Sequence, residues 1–485
     1  MKPRLLRELT LYRFRYVLGY GAFVMLLALM VFSYIGSVPS GLSDAELASA
    51  TKSMNLNPQA ITALNVVDVP YHLLQKLSIS LLGLTPFAIK LPSALVALAT
   101  GMCIVFMLRT WFRDNVAVIS SLLAVTSMPF LSAARSGTSL IMTFFWTSLL
   151  LLAATNALHV KRLRTLWKTV GLFAGLALLY SPFGIYPLIA LLISGMLHPH
   201  VRHLFRKTSK KAYAAFIVLA LIYLSPLVYA AATHPSILAT LAGIQLESVT
   251  FDKIFDNARQ LYGLFINPFG STIKNGYITP LFGAATLAIM VFGLFKTIQD
   301  HHSARSYMLL IWLGFLLPLI LLNPTMPFVV FIPATLLLAI GVESLIREWY
   351  DIFPLNPYAR IGALIPLAIL LTSIVATNMF RYFYGHIYTT DFYHRHNELA
   401  AIRHTLDRKD VNKAEQYLVA NDNQPFYDLL RRDYPKLHVV SSAPSAVRGT
   451  VITLDGATVK GQTPYRIITD GKKDESHVLT VYTKW

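Results

Sequence analysis

The sequence predicts an all-α polytopic membrane protein of about eleven transmembrane helices, followed by a small C-terminal extracytoplasmic α/β domain. Three observations lead there. Of the 485 residues, 55% are hydrophobic and only 14% are charged, against roughly 25% charged in an ordinary soluble domain, and the mean hydropathy is +0.54. The apolar residues gather in blocks of about 17 to 22 with almost no charge inside, the length that crosses a ~30 Å hydrocarbon core. After residue 380 the composition changes abruptly and long apolar runs cease. A disordered chain, a coiled coil and a standard soluble enzyme are thereby excluded.

The basic stretch MKPRLLRELTLYRFRY precedes the first apolar block. It is long, and no small-residue cleavage pattern follows Ile35, so the block reads as a retained first span rather than a signal peptide. Spans are expected at 17–36, 91–108, 115–133, 139–158, 169–183, 185–197, 212–232, 277–295, 306–322, 326–345 and 361–380. The stretch 169–197 is interrupted by SPFGIYP and flanked by basic clusters at both ends. It must return to the side it left, as two short spans or a re-entrant hairpin.

The 42 Lys and Arg outnumber the 24 Asp and Glu. Nucleic-acid binding is one reading of such an excess, and topology is the other. Placement favours topology. With the N-terminus in the cytoplasm, 20 basic residues fall on inner segments and 7 on outer ones before residue 381, as the positive-inside rule requires. The expected location is the cell membrane, with the C-terminus outside and no nucleic-acid partner. The single cysteine, Cys103, lies inside an apolar block, so no internal disulfide can form.

Two domains follow: residues 1–380 as the membrane domain, with external loops 37–90 and 233–276, and residues 381–485 as the extracytoplasmic domain. In the first loop, Ser43 and Glu46 have the S-x-x-E spacing of a capping box, placing a helix start at Ser43. A second helix over 70–82 begins with Pro70 in its first turn. In the tail, helix is expected at 395–408 and 424–433, and strand at 416–421, 437–441, 449–454, 465–469 and 477–483. Alternation of the two periods indicates a small α/β unit. It contains no glycine-rich phosphate loop, so docking or lid duty is the plain reading.

Candidate chemistry lies in the outer segments. Asp44 and Glu46 follow the first span directly, among few outer acids. Either can serve as a base for an acceptor hydroxyl or amine, or hold a divalent metal together with His72. The competing structural roles are a first-turn charge offsetting the helix dipole for Asp44 and the capping box itself for Glu46. Lys90 and Arg135 stand at the outer ends of spans. Each suits either interfacial anchoring or clamping a phosphate, for which Arg offers a bidentate fork. Arg259 and Lys274 in the 233–276 loop are further phosphate candidates.

Five stretches in order resemble the GT-C superfamily of membrane glycosyltransferases, and within it the protein O-mannosyltransferase and aminoarabinose-transferase group. They are GLSDAELASA (41–50), VPYHLLQKLSISLLGL (69–84), TPFAIKLPSALVAL (85–98), FLSAARSGTSLIMTFFWTSLLLLAA (130–154) and GLFAGLALLYSPFGIYPL (171–188). The family's adjacent Asp-Glu pair is split here as Asp44-Ala45-Glu46, its His-Pro-Pro-Leu-Tyr motif is reduced to Val69-Pro70-Tyr71-His72, and Lys90 replaces the usual Arg. The resemblance implies a transferase that takes a sugar from a polyprenyl-phosphate donor at the outer face, among membrane lipids. It also implies inverting displacement, with Asp44 or Glu46 as base. Lys90, Arg135, Arg259 and Lys274 would then hold the donor phosphate, and Tyr71 and His72 would orient the acceptor. The rival classes are a transporter or flippase of lipid-linked substrates and a non-catalytic scaffold. Few ionisable residues lie within the spans, which argues against an ion-coupled transporter.

Overall fold

The computed structural model describes residues 15–56, 66–160, 163–197, 210–244, 250–266, 272–274, 277–324, 327–352, 357–388, 398–408, 415–420, 423–442, 449–454, 459, 463–469 and 478–484. The first helix, α1 (Arg15–Phe32), leads into two short helices, α2 (Asp44–Met54) and α3 (Val69–Leu82). The bundle continues with α4 (Pro86–Trp111), α5 (Asp114–Val125), α6 (Met128–Arg135), α7 (Leu140–His159), α8 (Arg164–Leu178), α9 (Ile185–Leu197) and α10 (Lys210–Thr233). After α11 (Ser236–Ala242), α12 (Phe251–Phe265) and a hairpin of β1 (Thr272–Lys274) and β2 (Tyr277–Thr279) come α13 (Ala284–Gln299), α14 (Ala304–Leu322), α15 (Phe331–Ile352) and α16 (Pro357–Tyr388).

Six of the described helices are long and apolar enough to cross a membrane, and a seventh crossing arises if α5 and α6 count as one broken span bent by 60°. A helix occupies every block read from the sequence, but several are short. The apolar part of α1, α9 and α13 fall below 18 residues. The block expected at 277–295 opens as strand, and its helix begins only at Ala284. Pro280, which has no N–H to give a helix, lies between the two. The α5–α6 break falls at Thr126–Ser127, with Pro129 in the first turn of α6.

The helices share one apolar core running from Phe23 and Leu27 of α1 through Ile104, Phe130, Phe144, Trp312 and Leu338. Small residues permit the closest crossing: a Cβ on Gly293 would lie 2.0 Å from the Leu337 carbonyl oxygen, and one on Gly341 2.2 Å from that of Ile289. Such glycines let helix backbones touch where no hydrophobic effect drives association.

The tail forms a five-stranded mixed sheet of β3 (Glu415–Val419), β4 (Leu437–Val440), β5 (Gly449–Thr453), β6 (Arg466–Thr469) and β7 (Val478–Lys484), in the order β4-β3-β5-β7-β6. Strands β4 and β5 run parallel to β3, whereas β7 runs antiparallel to β5 and β6. Helix α17 (Glu398–Leu406), the short α18 (Gln424–Tyr427) and a 3₁₀ turn (Asp428–Arg432) cover it. The expected helix at 424–433 is thus one turn of α-helix tightened into 3₁₀, and the 395–397 part of the other lies outside the described residues.

This sheet layer is continuous with the first loop. Leu42, Leu47, Ala50, Ile79, Leu84 and Ile89 share one buried cluster with Leu399, Ile402, Leu406, Phe426 and Leu430. Arg403 donates to the Leu84 carbonyl at 2.8 Å and pairs with Asp433 at 3.4 Å.

Candidate functional site

The segment between α1 and α4 is built around buried polar bonds. Ser43 caps α2, accepting from the Glu46 N–H while Glu46 accepts from the Ser43 N–H at 2.7 Å, so the expected capping box is present. The other carboxylate oxygen of Glu46 accepts from the Gly137 N–H at 2.8 Å, across 91 residues of sequence. Glu46 is fully buried. Asp44, two residues earlier on the same first turn, is exposed.

Gln75 is the hub between α2 and α3. Its carbonyl accepts from Ser49 at 2.9 Å and Ser53 at 2.6 Å, and its amide donates to the carbonyls of Ile89 and Gly137. His72 joins through Nδ1, 2.7 Å from the Ser53 hydroxyl. Burial pushes the His72 imidazole down to about 3, with Lys52 adding to the shift, so the ring is neutral. Tyr71 is buried too, its hydroxyl 2.8 Å from that of Ser93. Desolvation raises its pKa above the ordinary phenol value. Tyr71 and His72 are therefore both buried, with the Tyr71 hydroxyl at Ser93 and the His72 Nδ1 at Ser53.

Lys90 and Arg135 are both fully buried. Lys90 donates to the carbonyls of Pro39 and Gly41, each at 3.0 Å. Arg135 donates through Nη1 to Met30 and Val31 (2.6 and 3.1 Å) and through Nη2 to Ser33 and Val38 (2.7 and 2.8 Å). Those carbonyls are the orphans at the end of α1 and in the turn after it. The rings of Tyr382 and Phe383, 5.7 and 4.9 Å away, enclose the guanidinium. Both cations, read from the sequence as interfacial anchors or phosphate ligands, are turned onto the backbone of residues 30–41 that leads into Asp44. Arg259 is exposed on α12, and Lys274 lies on β1. The end of α12 joins the same region, because the Leu281 N–H donates to the Leu264 carbonyl and Arg381 of α16 donates to Pro280.

Asp68 lies at the end of the first loop, just ahead of Val69-Pro70. It is buried and accepts from Ser139 and Ser181, each at 2.7 Å, so it joins the first loop, the α6–α7 turn and the α8–α9 turn. Burial raises its pKa above the usual carboxylate value. Only its position just ahead of Val69-Pro70 could have signalled it. Among the described residues, no three or more His, Cys, Asp or Glu side chains converge as a metal site. Glu46 is held by Ser43 and Gly137, and His72 by Ser53.

Residues 70–229 match the family model described as dolichyl-phosphate-mannose-protein mannosyltransferase. Among solved structures the chain is similar to ArnT from Cupriavidus metallidurans in the apo state, at 14% identity and a TM-score of 0.57, covering 96% of this chain and 98% of that one. ArnT from the same organism bound to undecaprenyl phosphate gives 13% identity, the same coverage and the same TM-score. A third similar structure is an oligosaccharyltransferase from Archaeoglobus fulgidus in the apo form, at 10% identity and TM-score 0.48, covering 89% of this chain and 69% of that one. No curated protein matches. The chain has an ArnT-like fold over nearly its whole length, and the resemblance to GT-C membrane glycosyltransferases read from its motifs stands.

Proposed function

We propose that this protein is a membrane glycosyltransferase that moves a hexosyl or pentosyl group from a polyprenyl-phosphate donor to a protein, lipid or glycan acceptor at the outer face. Asp44 is the base. The observation that carries this reading is the contrast between the two loop acids. Glu46 is buried with both oxygens engaged, whereas Asp44 is exposed on the same helical turn. A base must reach its proton on a fixed support. The capping box, the Gln75 hub and the carbonyl bonds of Lys90 and Arg135 supply that support. Glu46 is then a positioning residue.

In the reaction, the Asp44 carboxylate takes the proton of the acceptor hydroxyl or amine as that atom attacks the anomeric carbon. The bond from that carbon to the phosphate oxygen breaks, the electron pair leaves with the polyprenyl phosphate, and the configuration inverts. Arg259 and Lys274 are the cations of the 233–276 segment offered for the phosphate, since Lys90 and Arg135 would have to give up backbone carbonyls to reach it. The fold shared with a structure bound to undecaprenyl phosphate supports a donor of that class, and the mannosyltransferase family model supports the transfer. The transporter reading has less behind it, because Lys90 and Arg135 bond backbone carbonyls rather than forming a relay of ionisable groups.

The test is transfer by the purified full-length protein in lipid nanodiscs, offered polyprenyl-phosphate sugars and nucleotide sugars side by side. Product should form only from the lipid-linked donors, and Asp44→Asn should lower the rate by about 10²–10⁴-fold, the usual loss for one positioned base. Full activity in Asp44→Asn would remove it as the base. Product from nucleotide sugars alone would overturn the donor class.

A further inference from the structure

The end of the bundle remote from Asp44 contains a cavity. Helix α4 has 26 residues, with Lys90 in its first turns and Trp111 at its end, a separation of about 30 Å at 1.5 Å per residue. Around that far end lies a cavity of about 760 Å³, within the roughly 300–1,000 Å³ of small-molecule sites. It is framed by parts of α4, α7, α8, α9, α10 and α14.

The cavity is graded along the helix axes. His159, Lys168 and Arg305, close to helix ends, line one end of it, whereas Leu150 lies nine residues deeper along α7 than His159, or about 13 Å. No Asp or Glu lines it. Small residues such as Ala154 and Gly171 make the space. Helix α10 closes one side loosely: only 6% of its apolar window is buried inside the protein. The basic end is held in place. Arg305 donates to the Trp111 carbonyl at 3.1 Å and lies 5.0 Å from the Phe112 ring, and the Trp111 indole donates to Thr155 at 2.7 Å.

A hydrocarbon wall ending in two cations, beside a span that other helices scarcely cover, suits one kind of occupant. We propose that this cavity binds an anionic phospholipid, with one acyl chain between α7, α8 and α10 and the headgroup phosphate at Lys168 and Arg305. Hydrocarbon alone would fill the deep part without using the cations. A soluble anion would use the cations and leave the apolar wall wet. The site lies about a membrane thickness from Asp44, so it is separate from the donor site.

Two of the six tryptophans, Trp111 and Trp167, line the cavity, which provides the readout. The full-length protein, with Trp146, Trp312, Trp349 and Trp485 replaced by Phe, is reconstituted in phosphatidylcholine vesicles. A minor fraction of lipid carries brominated acyl chains on either phosphatidylglycerol or phosphatidylcholine headgroups. Brominated phosphatidylglycerol should quench at the lower mole fraction, by about fivefold for each cation, equivalent to about 1 kcal/mol per basic residue at a membrane surface. Lys168→Gln and Arg305→Gln should each remove about fivefold, and Arg305→Lys should keep most of the preference. Gly171→Leu, which fills the space, should abolish quenching by either lipid with the thermal midpoint retained. Equal quenching by the two headgroups, or quenching that survives Gly171→Leu, would overturn the proposal. Displacement of the brominated lipid by polyprenyl phosphate at a lower fraction than by unlabelled phosphatidylglycerol would overturn it too, assigning the cavity to a donor chain.

Discussion

At the scale of single residues, burial decides what each charged or polar side chain can do. Asp44 and Glu46 are two positions apart and chemically alike, yet one is exposed and the other is spent on a cap and on Gly137. His72 shows the same effect on an imidazole. Its folded pKa, about 3, lies below the ordinary value of about 6.5. Between those values the unfolded chain binds the extra proton, so stability is fully present above about pH 6.5 and declines as the pH falls toward 3. Thermal unfolding in detergent should show wild type losing more stability than His72→Gln between pH 6.5 and 4.5. Parallel pH profiles for the two proteins would mean that His72 does not titrate differently on folding.

At the scale of elements, the ends of helices carry the architecture of the site. Helix α2 starts where its capping box says it should. Helix α1 has no basic residue in its last turn, and its free carbonyls are taken instead by Arg135 from α6, about a hundred residues later. That arginine caps the C-terminal end of α1. Arg135→Ala would leave buried carbonyls without donors, at about 1–3 kcal/mol for each unsatisfied group, so a loss of at least about 3 kcal/mol is expected, with Arg135→Lys restoring part of it. The check is the unfolding midpoint together with donor binding to the protein that remains folded. Unchanged stability with donor binding lost would give the guanidinium back to the phosphate. Gly137 illustrates the same economy in a turn: its N–H serves Glu46, its carbonyl serves Gln75, and a Cβ there would lie 2.6 Å from the Ile89 side chain.

At the scale of the molecule, the C-terminal sheet and the first loop form one layer, joined by a shared apolar cluster and by Arg403 on the Leu84 carbonyl. Contact requires the two to be on the same side of the membrane, which the charge count had placed outside. With Cys103 changed to Ser, cysteines introduced at Ser43 and Ser441 should react with an impermeant thiol reagent from the same side, the outer one. Labelling from opposite sides would refute both the topology and the docking. Labelling of both from the cytoplasm would keep the docking and invert the topology.

The sequence by itself determined what depends on neighbours along the chain. Hydropathy blocks gave a helix at each expected span, the S-x-x-E spacing gave the start of α2, Pro70 gave the start of α3, and alternating periods gave the tail strands within a residue or two. Ordered motifs also disclosed the resemblance to membrane glycosyltransferases. Caps, turns and hydrophobic periodicity are local, so they can be read from composition and spacing. The count of full crossings was less legible, because a broken pair such as α5–α6 carries the hydropathy of one span and the geometry of two helices. The tertiary structure alone decided the use of each buried polar group. Beyond the Ser43 capping box of Glu46, the partners of Arg135, Lys90, Glu46 and Asp68 lie 49 to 113 residues away, and most are backbone atoms, which every residue has and no motif can mark. A cation at the end of a span looks the same in sequence whether it meets a phosphate or a carbonyl. Only the packed chain, where a buried charge must find whichever acceptors surround it, distinguishes the two.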